Sequence, residues 1–304
     1  MLQPVVDLTV AVATLDRPGG LVRCLDAVLS GCKLPAQVVV VDQSWDRRAQ
    51  DALARFQASR ISIVYVRQRR RGLSASRNAA IARAWCPVIG MTDDDCVPDP
   101  GWVAAIAKTF ASTNPPDAMA GRILPLGPAV PGLYAISPRA GMQQTDFQGP
   151  REPWLVGSGG NFAVRVDCLK RLGRYDERLG AGSPGQAAED MDYIYRVLRA
   201  GGRIRYEPDA LIYHERQTRR KRLATRSSYG FGMGAFCGKW IRRRDLYAAR
   251  ILRRWLLWQG QDLLAGAGAG DWAGAYEKYL SLQGTARGLV YGLRLPVTRT
   301  EALD

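Results

Sequence analysis

The chain has 304 residues and a mass of 33.4 kDa, with 47% hydrophobic and 23% charged residues. That length gives one large domain or two smaller ones, and that composition excludes disulfide miniproteins, collagen-like repeats and disordered chains. With 43 basic and 28 acidic residues the formal charge is +15, which calls for an anionic partner: nucleic acid, a phosphorylated substrate or an acidic membrane surface.

Through the first half, short β-branched runs alternate with helical patterns, the signature of βαβ units around a largely parallel sheet. Residues 6–14 (VDLTVAVAT) predict a strand, and a Pro-Gly-Gly break leads into a helix, LVRCLDAVLS. Residues 38–42 (VVVVD) predict a buried strand ending in Asp42. A polar helix follows, then a strand over 61–68, a helix opened by Ser74, and a strand at 87–95 (PVIGMTDDD). Acidic residues therefore sit just beyond the carboxyl ends of two strands, where open α/β sheets bind ligands. The stretch 113–160 is rich in Pro and Gly and predicts loops with one or two short strands. Residues 161–167 resume strand character, 187–202 predict a helix, and 203–214 predict a strand pair turning at Pro208. From about 215 Gly-rich, Arg-rich and Trp-containing helices take over, so a boundary is placed near 225. Residues 1–225 are then an α/β domain and 226–304 a basic, amphipathic helical region.

His214 is the one histidine, which excludes multi-histidine zinc sites and directs acid-base chemistry to carboxylates. The six cysteines form no C-x-x-C pair and stand among apolar neighbours, as buried free thiols in a reducing compartment do. The first residues lack a basic flank followed by an apolar run, and no stretch of about 18 uninterrupted apolar residues occurs. These features predict a cytoplasmic protein that spans no membrane.

Asp93, Asp94 and Asp95 repel one another by a few kcal/mol at low effective dielectric. Two readings fit them: a divalent cation site, with hard oxygen ligands favouring Mg²⁺ or Mn²⁺, or an acidic turn before the next helix, with Asp99 as the cap ahead of Pro100. In the second cluster, Met191, Ile194, Tyr195 and Leu198 form an apolar stripe that places Asp192 on the opposite face, within reach of Arg196. Glu189 and Asp190 open that helix, either projecting into a cleft or complementing the helix dipole. His214 ends an apolar strand as a structural imidazole or, if the aspartates hold a metal, as a further ligand. The strings GFGMG (230–234) and GAGAG (266–270) lack a preceding strand, so close helix packing is expected of both rather than dinucleotide binding.

Fifteen basic and four acidic residues between 203 and 254 concentrate +11 there. At 100° per residue, Tyr247, Ile251, Trp255 and Trp258 share one helix face, while Arg243, Arg250, Arg253 and Arg254 lie on the other. Such a helix either lies on anionic lipid or packs on its own domain with a solvated basic face. A nucleic-acid-binding protein on a degenerate α/β domain is a third reading, with no known binding module behind it.

Six strings, VAVATLDRPGGLVRCLDAVL, VVVVDQS, RGLSASRNAAIARA, VIGMTDDDCVPDPGW, GSGGNFAVR and AEDMDYIYRVLRAGGRIRYEPDALIYH, follow in order across roughly residues 6–216. Together they resemble family 2 glycosyltransferases of the GT-A fold. The resemblance implies a Rossmann-like, mostly parallel sheet flanked by helices, with a nucleotide-diphospho-sugar at the carboxyl ends of the strands. It assigns Thr14 and Asp42 to the base, Asp42 accepting from the ring imide, and Arg77 to the base and diphosphate. Asp93 and Asp95 look like the D-x-D motif, Asp93 towards the ribose and Asp95 towards Mn²⁺ or Mg²⁺, with Asp94 among the donor-binding residues. Asp190 looks like the catalytic base, and His214 like a further metal ligand. Gly159 and Gly160 resemble the loop lining the sugar, and Trp154 and Glu189 fall beside the acceptor. One departure is Gln43-Ser44 after Asp42, where many members carry a second acidic residue. The implied activity is inverting transfer from a UDP- or dTDP-sugar to a hydroxyl of a glycan or lipid-linked acceptor, in polysaccharide biosynthesis at the inner membrane face.

Overall fold

The computed structural model describes residues 3–296 other than Gln57, so the outer ends of both anticipated segments, 1–2 and 297–304, lie outside the described residues. The strands are β1 (Val5–Thr14), β2 (Leu34–Asp42), β3 (Ser62–Arg67), β4 (Val88–Asp93), β5 (Cys96–Pro98), β6 (Ala118–Pro125), β7 (Leu133–Tyr134), β8 (Thr145–Phe147), β9 (Asn161–Arg165), β10 (Ile204–His214) and β11 (Gln217–Thr218). The helices are α1 (Pro18–Leu29), α2 (Arg48–Leu53), α3 (Leu73–Ile81), α4 (Trp102–Phe110), α5 (Val166–Leu172), α6 (Glu189–Arg199), α7 (Arg219–Ile241), α8 (Leu246–Gly268) and α9 (Trp272–Arg294).

One sheet runs in the order β3-β2-β1-β4-β9-β6-β10-β5, with β8 added beside β10. The first four strands are parallel. β9 is antiparallel to both β4 and β6, which leaves β6 and β10 aligned with the first four and only β5, β8 and β9 reversed. The mostly parallel expectation holds. The valine run of β2 shows why helices cover both faces: Val38 and Val40 join the core under α1 and α4, while Val39 and Val41 join the core under α3, α5 and α6.

Several boundaries differ from the sequence reading. The Pro-Gly-Gly segment lies inside α1, with Pro18 in its first turn, where its fixed φ suits a helix and its missing N–H costs nothing. Val166 and Asp167 open α5 instead of extending a strand. The region read as loops contains β6, an eight-residue strand buried between β9 and β10. Residues 203–214 are one strand rather than a pair: the β10–β6 register passes from Glu207↔Gly121 to Leu211↔Arg122, leaving Pro208 to Ala210 as a bulge. Pro208 cannot donate to the ladder, and the side-chain amide of Asn161 occupies the gap, donating to Arg122 O and Ala210 O at 2.8 and 2.7 Å. Cys32 is exposed, unlike the other five free cysteines.

The C-terminal helices pack on the domain. Residue 225 falls inside α7. Ile251 and Trp255 of α8 are buried with Tyr195 of α6 and Met233, Phe236 and Trp240 of α7, with Tyr247 packed beside them. The protein itself thus covers the Ile251–Trp255 part of that face, while Trp258 remains 43% exposed. Among the described residues no helix is long and apolar enough to cross a membrane.

α7 and α9 meet through glycines: Gly230, Gly234 and Gly238 face Ser281, Thr285 and Leu289, while Gly284, Gly288 and Gly292 face the backbone of Ser227, Phe231 and Ala235. GFGMG thus serves close packing, but GAGAG does not, since Gly268 and Gly270 face open space. Gly288→Ala places a methyl on the Phe231 carbonyl and is expected to cost about 3 kcal/mol through overpacking. Gly268→Ala meets nothing and should gain up to about 1 kcal/mol from helix propensity. Urea midpoints of the two variants, moving in opposite directions, check this.

Candidate active site

The three adjacent carboxylates point three ways, because β4 ends at Asp93 and the chain turns sharply into β5 at Cys96. Asp93 faces the Arg77 guanidinium at 3.6 Å. Asp94 turns to the other side, accepting from Thr14 Oγ1 at 2.7 Å and pairing with Arg17 Nε at 3.1 Å. Burial pushes its carboxyl up to about 6 although the Thr14 hydroxyl opposes this. Asp95 faces His214, with Oδ1 3.6 Å from Nε2. Separate partners thus relieve the mutual repulsion that the sequence poses.

His214 closes β10 and pairs in register with Cys96 of β5. Its Nδ1 lies 3.0 Å from the Glu215 carbonyl, which only accepts, so Nδ1 carries the proton. Its Nε2 faces the Asp95 carboxylate, where a divalent cation would take Oδ1 and Nε2 as ligands, and the backbone carbonyl is the outer partner that orients such an imidazole. Asp95, Cys96 and His214 form the potential ligand cluster; the two hard donors suit Mn²⁺ or Mg²⁺, while burial pushes the Cys96 thiol well above its ordinary range.

Opposite stands the amino end of α6. Asp190 is half-buried; its Oδ2 accepts the Gly159 N–H and its Oδ1 the Met191 N–H, both at 2.8 Å. Glu189 is buried against Arg77, Oε1 to Nη1 at 2.7 Å. Burial, then the charge of Asp190, push the Glu189 carboxyl up to about 7 in spite of Arg77. Arg77 itself is only 5% exposed, lies over the Tyr175 ring and supports the Gly159–Gly160 loop. A Cβ at 159 would come within 2.7 Å of its guanidinium, and one at 160 within 3.0 Å of Asp93 Oδ2. Only glycines let this loop lie so close to the acidic residues.

Asp42 ends β2 fully buried, its Oδ1 accepting the Ser44 N–H and its Oδ2 the Tyr65 hydroxyl, both at 2.8 Å. Trp154 sits in a short turn whose carbonyls are held by Arg139, with its ring 5.5 Å from Trp255 and 6.4 Å from Trp258 of α8. It belongs to the α8 side of the site. Asp99 does accept the Gly101 N–H, at 3.0 Å, ahead of α4.

Asp192 is not on an open face, as the stripe implied. It is fully buried, accepting from Lys239 Nζ at 2.8 Å, Trp240 Nε1 at 2.9 Å and Arg196 Nε at 3.1 Å. The Arg196 pairing was legible from spacing, but Lys239 was not. Arg17, which also pairs with Glu215, Asn161 and Lys239 all escape sequence reading because their partners lie 39 or more residues away. The only local signal is the Gly-Gly-Asn string preceding β9.

Comparisons with known proteins bear on the family and the fold. The family model described as glycosyl transferase family 2 matches residues 9–173. A pre-mycofactocin glycosyltransferase of Mycobacterium tuberculosis is 29% identical over 169 residues, 53% of this chain and 34% of that protein, so the chain spans about a third of that relative's length. A glucosyl-dolichyl phosphate glucuronosyltransferase of Haloferax volcanii is 24% identical over 232 residues, 69% of each chain. Among solved structures, a mannosyltransferase from Pyrobaculum calidifontis in complex with GDP-Man and Mn²⁺ superposes with a TM-score of 0.58 at 18% identity, covering 96% of this chain and 88% of that one. S. aureus TarS 1-349 in complex with UDP gives 0.53 at 14% identity, covering 92% and 91%. These likenesses show the GT-A fold. With more than half of its length matched by the family model, and with the acidic strand ends, the glycine loop and α6 brought to one side of the sheet, the chain belongs to glycosyl transferase family 2.

Proposed function

We propose that the chain is an inverting, divalent-metal-dependent glycosyltransferase that moves a sugar from a UDP- or dTDP-sugar to a hydroxyl of a glycan or lipid-linked acceptor. The observation that carries this reading is the placement of a half-exposed Asp190, held by the Gly159 N–H, on the same side of the sheet as the Asp95–His214 pair. Asp190 takes the proton of the acceptor hydroxyl as its oxygen attacks the anomeric carbon from the side away from the departing diphosphate. The Gly159 N–H fixes that carboxylate, and the buried Arg77–Glu189 pair fixes the loop beneath it. Asp95 and His214 would hold Mn²⁺ or Mg²⁺, which as a Lewis acid neutralises the leaving diphosphate. Thr14, Asp42, Arg77, Asp93, Asp94, Gly159 and Gly160 are assigned to the donor side, and Trp154 and Glu189 to the acceptor side. Residues 1–225 then supply donor binding and catalysis, and 226–304 are assigned as the basic, amphipathic C-terminal region. The name of the Haloferax relative supports a lipid-linked acceptor, and the +11 segment supports work at the inner membrane face.

A thermal-shift screen with UDP, dTDP, GDP and CDP, each with Mn²⁺, tests the donor and the metal together. At one hundred times Kd a nucleotide stabilises by about 2.7 kcal/mol, or roughly 5 °C for a domain of this size. UDP or dTDP should give that shift, and Asp95→Ala should abolish its dependence on Mn²⁺. Stabilisation by GDP alone would overturn the donor assignment.

A further inference from the structure

α9 presents a long apolar stripe that none of the described residues covers. Trp272, Tyr276 and Tyr279 are 71%, 50% and 50% exposed, and Val290 and Leu293 continue the same side of the helix. At 100° per residue these five positions fall within a 100° arc, along a helix of about 35 Å. The opposite side of α9, including Ala275, Ser281, Gly284, Gly288 and Gly292, is buried, the glycines against α7. α8 occupies a third side through Trp255–Thr285 and Lys278–Asp262. The stripe therefore faces away from the domain.

The exposed charges on the helix itself are basic, with Asp271 capping its amino end. Arg287 and Arg294 are exposed at its margin. The one carboxylate of α9, Glu277, is buried between Arg222 and Arg226 of α7. We infer that this side of α9 is a docking surface for an anionic lipid bilayer. Trp and Tyr bury an apolar body and keep a polar edge in water, the division that a headgroup boundary requires. The arginines complement the negative surface. A second copy of the chain docked with the two α9 helices parallel would bring arginines of like charge together. This surface is distinct from the buried face of α8, and the inference stands whatever the donor.

The test is co-sedimentation of the full chain with vesicles of phosphatidylcholine containing 30% phosphatidylglycerol, against pure phosphatidylcholine, at low and high salt. Binding is expected to the anionic vesicles only. It should fall at least tenfold in 1 M salt, where the screening length shrinks to about 3 Å, and at least tenfold in Trp272→Ser/Tyr276→Ser/Tyr279→Ser. An Arg287→Ala/Arg294→Ala variant separates charge from apolar insertion and should also weaken binding. All five side chains are at least partly solvent-exposed, so the variants should melt with the parent protein. Equal sedimentation of the triple variant, equal binding to neutral vesicles, or a dimer that the triple variant dissociates in analytical ultracentrifugation would each overturn the inference.

Discussion

Asp190→Asn is expected to lower turnover by about 10² to 10⁴-fold, the usual worth of a positioned general base, while donor affinity changes by less than a factor of two. The carboxamide oxygen can still accept the Gly159 N–H that Asp190 Oδ2 now accepts at 2.8 Å, so the loop over Arg77 keeps its anchor. What is lost is a group able to take a proton. Glu189, one residue earlier, does not replace it: its carboxylate is buried and committed to Arg77. Single-turnover rates, together with donor titration by calorimetry, separate the two quantities. A matching loss of donor affinity would make Asp190 a structural residue, and retained turnover would move the base elsewhere.

Asp192→Ala is expected to destabilise the fold by about 3 to 5 kcal/mol, the cost of leaving buried charges unpaired. Three donors on two helices converge on this carboxylate, from Arg196 within α6 and from Lys239 and Trp240 on α7. Lys239 is also buried, and of its two carboxylates it would lose Asp192 and retain Asp176, at 2.8 Å. Against a typical stability of about 5 to 15 kcal/mol, that loss would show as a large shift in the urea midpoint. Asp192→Asn keeps an acceptor and should cost less. Burial alone would raise the Asp192 carboxyl, but Lys239 and Arg196 outweigh it and hold it below its ordinary value of 3.8. With the folded value depressed, the stabilisation is complete above about pH 4 and is lost as the pH falls through the folded value. A variant that unfolds within about 1 kcal/mol of the parent would show that the cluster is not what fastens α7 to α6.

The sequence by itself determined those features that repeat locally. β1, β2 and β4 are legible because β-branched residues fill both faces of buried strands, and α6 because its apolar residues recur at helical spacing. Asp93, Asp95, Asp190 and His214 stood out because acids and a single imidazole at element ends have few other uses. The tertiary structure decided everything that depends on a distant partner. β6 reads as loop until β9 and β10 supply its neighbours. The three aspartates receive their directions from Arg77, Thr14 with Arg17, and His214, which approach from α3, from the end of β1 and from β10. Asp192 becomes buried only because Lys239 arrives from α7, and the Ile251–Trp255 part of the α8 face is closed by α6 and α7 while the apolar stripe of α9 stays open. Periodicity identifies a helix face, but whether protein, lipid or water covers it depends on packing between segments that local sequence does not encode.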